Sequence, residues 1–236
     1  MTYNFTMGNF KYKIRIIDLE KRKGTLQREL YLRNAYEEIV KAIEEGSRVL
    51  DLGCGDGELL HLLHERKKIY GLGIDISTEE ILKCIKKGVS VIQEDIEEGL
   101  IKYKDESYDY VILSETLQTV KRPDFILNQM VRVGKKGIIS FPNFAHIKNR
   151  IAFALKGIMP KSEVLPFEWF NTPNIHLLTI RDFKNFCKAN NIIILKEIYF
   201  TSGGKKTRVF LGRENLFAEE AIFILQRGTV VPGKNP

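Results

Sequence analysis

Twelve residues, VLDLGCGDGELL at positions 49–60, constrain this chain more than any other stretch. An apolar run breaks into Asp51, Gly53, Gly55 and Gly57 where the following pattern turns helical, so a buried strand must bend sharply into a helix. Glycines in that bend leave no Cβ between backbone and ligand, and the helix behind them offers its positive N-terminal end. A dinucleotide fingerprint needs glycine at the sixth position counted from Gly53, and that position is Glu58. The pattern is instead G-x-G-x-G with an acid two residues upstream. An ordinary tight βα turn would account for the glycines alone, whereas the acids spaced around them point to S-adenosylmethionine or its demethylated product, S-adenosylhomocysteine.

Asp75 closes the next apolar run, eighteen residues after Gly57, where a carboxylate can accept hydrogen bonds from both ribose hydroxyls. A helix N-cap is the competing role, but Ser77 and Thr78 are better placed for it. Ile76 follows Asp75 into the same site. Asp95, in VIQEDIEEG, is placed to accept from an adenine amino group with Ile96 covering the ring, or is a solvated turn acid. Asp51 suits the ligand's ammonium group, a structural bond to the loop amides, or both. Cys54 lies inside the glycine loop, and Ser114 and Glu115 end the run YDYVILSETLQ, where they border the methionyl part of the ligand or cap a strand. Methyl transfer needs mainly a sulfonium carbon and a nucleophile held in line, so a missing catalytic triad excludes nothing. Glu115 and His176 are the candidates for handling a proton. His61 and His64 are three apart on the first helix of the repeat with no third ligand in sight, so no metal is expected.

The surrounding pattern alternates strands with helices: strands at 48–52, 70–75, 89–93, 108–114 and 137–141, helices at 57–67, 78–87 and 124–132. That rhythm predicts a parallel sheet with right-handed crossovers and helices on both faces, and ligands at the strands' carboxyl ends. With 236 residues and 44% hydrophobic content, one domain suffices. Residues 1–25 read as an arm without clear periodicity, 26–228 as the domain opening with a helix at 26–45, and 229–236 as a tail. After Phe141 the rhythm lapses around Pro142, Pro160, Pro166, Pro173 and Trp169, and 143–179 reads as an insertion or lid. A helix at 180–189 and strands at 192–201 and 221–226 close the domain as a hairpin on the parallel sheet.

Charge is uneven. The net +7 concentrates at 121–161, where nine Lys or Arg face the single acid Asp124, and Lys205, Lys206, Arg208 and Arg213 form a second group. No nucleic-acid module or run of stacking aromatics accompanies them, so a solvated basic exterior outweighs nucleic-acid binding. No stretch has the length of a signal peptide's apolar region or a membrane span, and three scattered cysteines form no disulfide framework, so the expectation is a cytoplasmic protein without membrane association.

Together VLDLGCGDGELL, YDYVILSETLQTVKRPDFIL, ISFPNF and above all LPFEWFNTPNIHLLTIRDF resemble the methionine biosynthesis protein MetW family, over about 48–225. The resemblance implies a Rossmann-like class I methyltransferase fold with a seven-stranded, mostly parallel sheet whose last strand is reversed. It also implies support of a homoserine O-acyltransferase in methionine synthesis, with 143–179 as a docking surface. The alternative function is a catalytically active small-molecule methyltransferase whose acceptor lies under Trp169 and Phe170. Glu115 departs from the glutamine that the resemblance leads one to expect.

Overall fold

The computed structural model describes residues 2–7, 10–162, 164–201, 205–207 and 212–228, with side chains from Arg28 onward. Arg208 and the tail at 229–236 lie outside the described residues. Strands β1 (Thr2–Met7) and β2 (Phe10–Arg15) pair antiparallel, and helix α1 (Ile16–Ala42) follows directly. The helix thus begins ten residues before the expected start at position 26. The strict alternation of Phe10, Tyr12 and Ile14 with Lys11, Lys13 and Arg15 carries the period of a strand, a signal the reading of 1–25 as aperiodic passed over.

Next come β3 (Arg48–Leu52), α2 (Glu58–Lys67), β4 (Tyr70–Asp75), α3 (Thr78–Lys86), β5 (Val91–Gln93), α4 (Ile96–Gly99), β6 (Tyr108–Ser114), α5 (Pro123–Val133) and β7 (Gly134–Pro142). Helices α6 (Ile147–Lys156) and α7 (Ile180–Ala189) precede β8 (Ile192–Thr201), β9 (Lys205–Thr207), α8 (Glu214–Phe217) and β10 (Glu220–Arg227). The sheet order is β5-β4-β3-β6-β7-β10-β8-β9. Its first five strands are parallel, while β10 runs antiparallel to both β7 and β8 and wedges between them. The count is therefore eight, not seven. The extra strand is β9, three residues that pair with Tyr199–Thr201 and carry Lys205 and Lys206 of the second basic group.

Side-chain parity divides the core into two layers. Leu50, Leu52, Val111, Leu113, Ile139, Phe141 and Phe223 pack under α5 and α7, and Val49, Tyr110, Ile112, Ile138 and Ile222 pack under α1 and α2. Strands with both faces covered read as continuous apolar runs, which is why β3, β6 and β7 were legible. Parity also puts Asp51, one position from Leu50 and Leu52, on the α1 side. The insertion holds the unforeseen helix α6, started by His146, whose Nδ1 accepts from Lys148 N at 3.3 Å. Asn143 explains why the chain turns there: its amide donates to the carbonyls of Asn215 and Ala218 and its oxygen accepts from Ala145 N and Ile180 N. No helix among the described residues is long and apolar enough to cross a membrane.

Candidate ligand-binding site

All three loop glycines have left-handed backbone: φ is 70° at Gly53, 54° at Gly55 and 76° at Gly57, the N-cap of α2. A side chain is resisted there by conformation. At Gly53 it is also excluded by contact, since a Cβ would fall 2.6 Å from Thr116 Cγ2. The loop is pinned from below, because the amides of Gly53 and Cys54 both donate to Ile74 O, at 2.8 and 3.1 Å, and Gly55 N donates to Asp75 Oδ2 at 2.8 Å. These three amides, which the sequence left open to a ligand, are engaged within the protein. What the loop presents outward is bare Cα and the start of α2.

A crevice of about 380 Å³ opens beside it at the carboxyl ends of β3, β4 and β5, lined by Gly53, Asp75, Ile76, Asp95, Ile96 and Thr116. Five of the ten residues selected as ligand-binding from sequence meet there. Asp75 is half-buried; besides Gly55 N it accepts from Ser77 N at 2.9 Å, while the cap of α3 is Ser77, as the spacing indicated. Asp95 caps α4, accepting from Glu97 N at 2.9 Å, so the short-range role set against adenine recognition is present. Ile76 stands exposed at the rim, and Ile96 is buried below it. Cys54 turns its thiol away into the layer under α2, 4.0 Å from the sulfur of Cys84, and burial raises its pKa. Ser114 bonds Ser140 Oγ at 3.0 Å.

Two acids adjoin crevice-lining residues in the chain, Asp51 before Gly53 and Glu115 before Thr116. Asp51 is 3% exposed, and no donor among the described residues bonds its carboxylate. Burial, then the charge of Asp75, pushes its pKa up to about 7. Glu115, at φ 58°, is held by its own amide on Ser140 O at 3.0 Å, and burial raises its pKa against the opposing charge of Arg28. Arg28 Nη2 reaches Glu115 Oε2 at 3.2 Å, while Oε1 is sealed from solvent without a partner. Tyr36 of α1 feels the charge of both acids. Burial comes first in raising its phenol pKa, followed by the charges of Asp51, Asp56 and Glu115.

Sequence reasoning missed Arg28, Tyr36 and Glu220. The first two come from α1, outside any local pattern around the loop, and only parity at Asp51 hinted that a helix must cover it. Glu220 begins β10 fully buried, with Oε2 unpartnered and its pKa raised by burial against Arg28. An acid followed at once by the apolar run AIFIL was a signal available in the sequence. His176 is joined to the site through Gln118, whose carbonyl accepts from the amides of Ile175 and His176 at 2.8 and 3.1 Å. Its Nε2 is buried without a partner, as is Gln118 Oε1. His61 and His64 line a separate groove of about 930 Å³ at the opposite, amino-terminal edge of the sheet. Trp169 and Phe170 are 74% and 68% exposed and edge to face with each other, and Trp169 borders a cavity of about 40 Å³ together with Phe144, Met159, Leu165 and Phe167.

A mostly parallel sheet with β10 reversed between β7 and β8, and a glycine bend feeding a crevice at its carboxyl edge, define the fold class of S-adenosylmethionine-dependent methyltransferases. Solved structures agree: a SAM dependent methyltransferase from Archaeoglobus fulgidus superposes with TM-score 0.64 at 20% identity, covering 90% of this chain and 100% of that one. Another from Thermotoga maritima, described as a possible histamine N-methyltransferase, gives TM-score 0.61 at 17% identity, covering 89% and 95%. Within that class the chain belongs to the methionine biosynthesis protein MetW family, which matches residues 33–225. A bifunctional methionine biosynthesis protein MetXA/MetW from Rhodopirellula baltica is 38% identical over 173 residues, 70% of this chain, and the match spans 28% of that protein's length.

Proposed function

We propose that this chain binds S-adenosylmethionine or S-adenosylhomocysteine and, in that form, supports a homoserine O-acyltransferase of methionine synthesis. The crevice carries the reading. Its residues fit the ligand, Asp75 for the ribose hydroxyls and Asp95 and Ile96 for adenine, and Asp51, a buried acid two residues before the crevice-lining Gly53, suits the ammonium. When bound, S-adenosylmethionine would supply a positively charged sulfonium carrying a transferable methyl. The partner reading draws support from the MetXA/MetW relative, in which a counterpart of this chain shares one polypeptide with a second activity. It draws further support from the insertion, whose Ile151, Phe153, Leu155, Ile158, Trp169 and Phe170 all stand in solvent. We assign that face to the acyltransferase.

Calorimetric titration with each ligand, and acyl transfer assayed with and without this chain, test the proposal. Ligand binding together with altered acyl transfer is the expected result; an unchanged rate rejects the partner role. A second reading, methyl transfer to a small molecule, rests on the junction of Glu115, Gln118 and His176, where unpartnered acceptors meet a histidine. Incubating the pure protein with labelled S-adenosylmethionine and a metabolite extract separates the two, because only an enzyme yields a labelled product.

A further inference from the structure

Asp51 and Glu220 are buried, the Glu115 side chain is 14% exposed, and Arg28 is the cation that faces Glu115 and Glu220 among the described residues. Geometry ties Asp51 and Glu115 to the ligand's path. Gly53 and Thr116 line the crevice and press against each other; Asp51 stands two residues before the first and Glu115 immediately before the second. A carboxylate withdrawn from water needs a proton or a positive partner. Arg28 meets that need only partly, because it engages Oε2 of Glu115 and leaves Oε1 sealed and unbonded.

The two ligands proposed above share an adenosyl group and an α-ammonium. They differ by one methyl and by the charge on sulfur. Asp51, assigned to the ammonium, meets both alike, whereas Glu115, which follows β6 and precedes the crevice-lining Thr116, is assigned to the neighbourhood of the sulfur. We propose that Glu115 is a specificity residue that makes the crevice select the sulfonium of S-adenosylmethionine over the neutral thioether of S-adenosylhomocysteine. The inference rests on the ligand reading of the previous section and deepens it. A signal needs unequal affinities for the states it distinguishes, and this carboxylate supplies the inequality. The chain then responds to the methyl donor and not to the spent product.

Calorimetric titration of the full chain with S-adenosylmethionine, S-adenosylhomocysteine and sinefungin, which carries an ammonium near the position of the sulfur, tests the assignment. The wild type is expected to bind both cationic ligands about tenfold or more tightly than the thioether, the scale of one partly screened charge pair. Glu115→Gln keeps the shape and removes the charge, and is expected to erase the preference by weakening the cationic ligands while leaving S-adenosylhomocysteine unchanged. Equal or tighter binding of S-adenosylhomocysteine by the wild type, or a preference that survives in Glu115→Gln, overturns the proposal and leaves the crevice reading intact. Failure of all three to bind overturns both.

Discussion

A single carboxylate, Asp51, links ligand, proton and stability. Its pKa of about 7 in the folded chain stands above the ordinary 3.8, so between these values the folded state holds a proton that the unfolded state has released. Stability contributed by this group is complete below about pH 4 and falls as pH rises toward about 7. A cationic ligand reverses the preference by favouring the charged form. Binding is therefore expected to release protons below about pH 7 and to tighten as pH rises from about 5.5 to 7. The groups that face the charge of Asp51 are Asp75, Tyr36 and Cys54. Titrations in two buffers of different ionisation enthalpy count the protons, and Asp51→Asn should flatten the pH profile; a wild-type affinity independent of pH contradicts the assignment. Asp75→Ala is expected to cost about 1–3 kcal/mol of binding, roughly ten- to a hundredfold, because charged hydrogen bonds to the ribose are lost. Unchanged affinity in that variant would remove Asp75 from the site. Both acids drew attention in the sequence because Asp51 lies one residue before the end of β3 and Asp75 ends β4. Arg28 did not, since the 87 residues separating it from Glu115 carry no local pattern that joins them.

At the scale of elements, sequence rhythm served where both faces of a strand are buried and failed where an element is defined by what it leaves uncovered. Strands β3, β4, β6 and β8 sit where their apolar runs put them. Helix α6 hid inside the insertion because its apolar residues are not organised toward a core: Ile151, Phe153 and Leu155 are exposed, Leu155 at 80%. An exterior helix of this kind has no burial to give it the usual amphipathic signature. The same exposure makes the face testable without endangering the fold. Trp169→Ala combined with Phe170→Ala removes side chains that touch mainly each other and solvent, so the melting temperature is expected to change little. If the acyltransferase seats on this face, the double variant should lose a tenfold or greater share of affinity for it, as aromatic anchors at interface centres do. Surface plasmon resonance against the purified acyltransferase provides the measurement, and undiminished binding would move the interface elsewhere.

On the scale of the whole molecule, two regions far apart in sequence meet at one turn. The segment between β6 and α5 borders the crevice through Thr116 and receives the insertion through Gln118 O, which accepts from Ile175 N and His176 N. Glu115 and Gln118 are also joined directly, because Gln118 Nε2 donates to the Glu115 carbonyl at 2.8 Å. The carbonyl contacts are backbone bonds over 57 residues of separation, and nothing in side-chain pattern announces them. They give the fold a mechanical reason to link ligand occupancy to the insertion: a cation drawn to Glu115 loads the same turn that anchors positions 175 and 176. Such a path counts as coupling only if both sites bias one equilibrium, and here that equilibrium is attachment of the insertion to the turn. Amide hydrogen exchange reads it directly. S-adenosylmethionine is expected to slow exchange in peptides spanning 165–180 as well as those around 51–58. Asp75→Ala at the same ligand concentration should reduce both effects together, because each follows occupancy. Protection confined to the glycine loop would show that the crevice fills without the docking face sensing it.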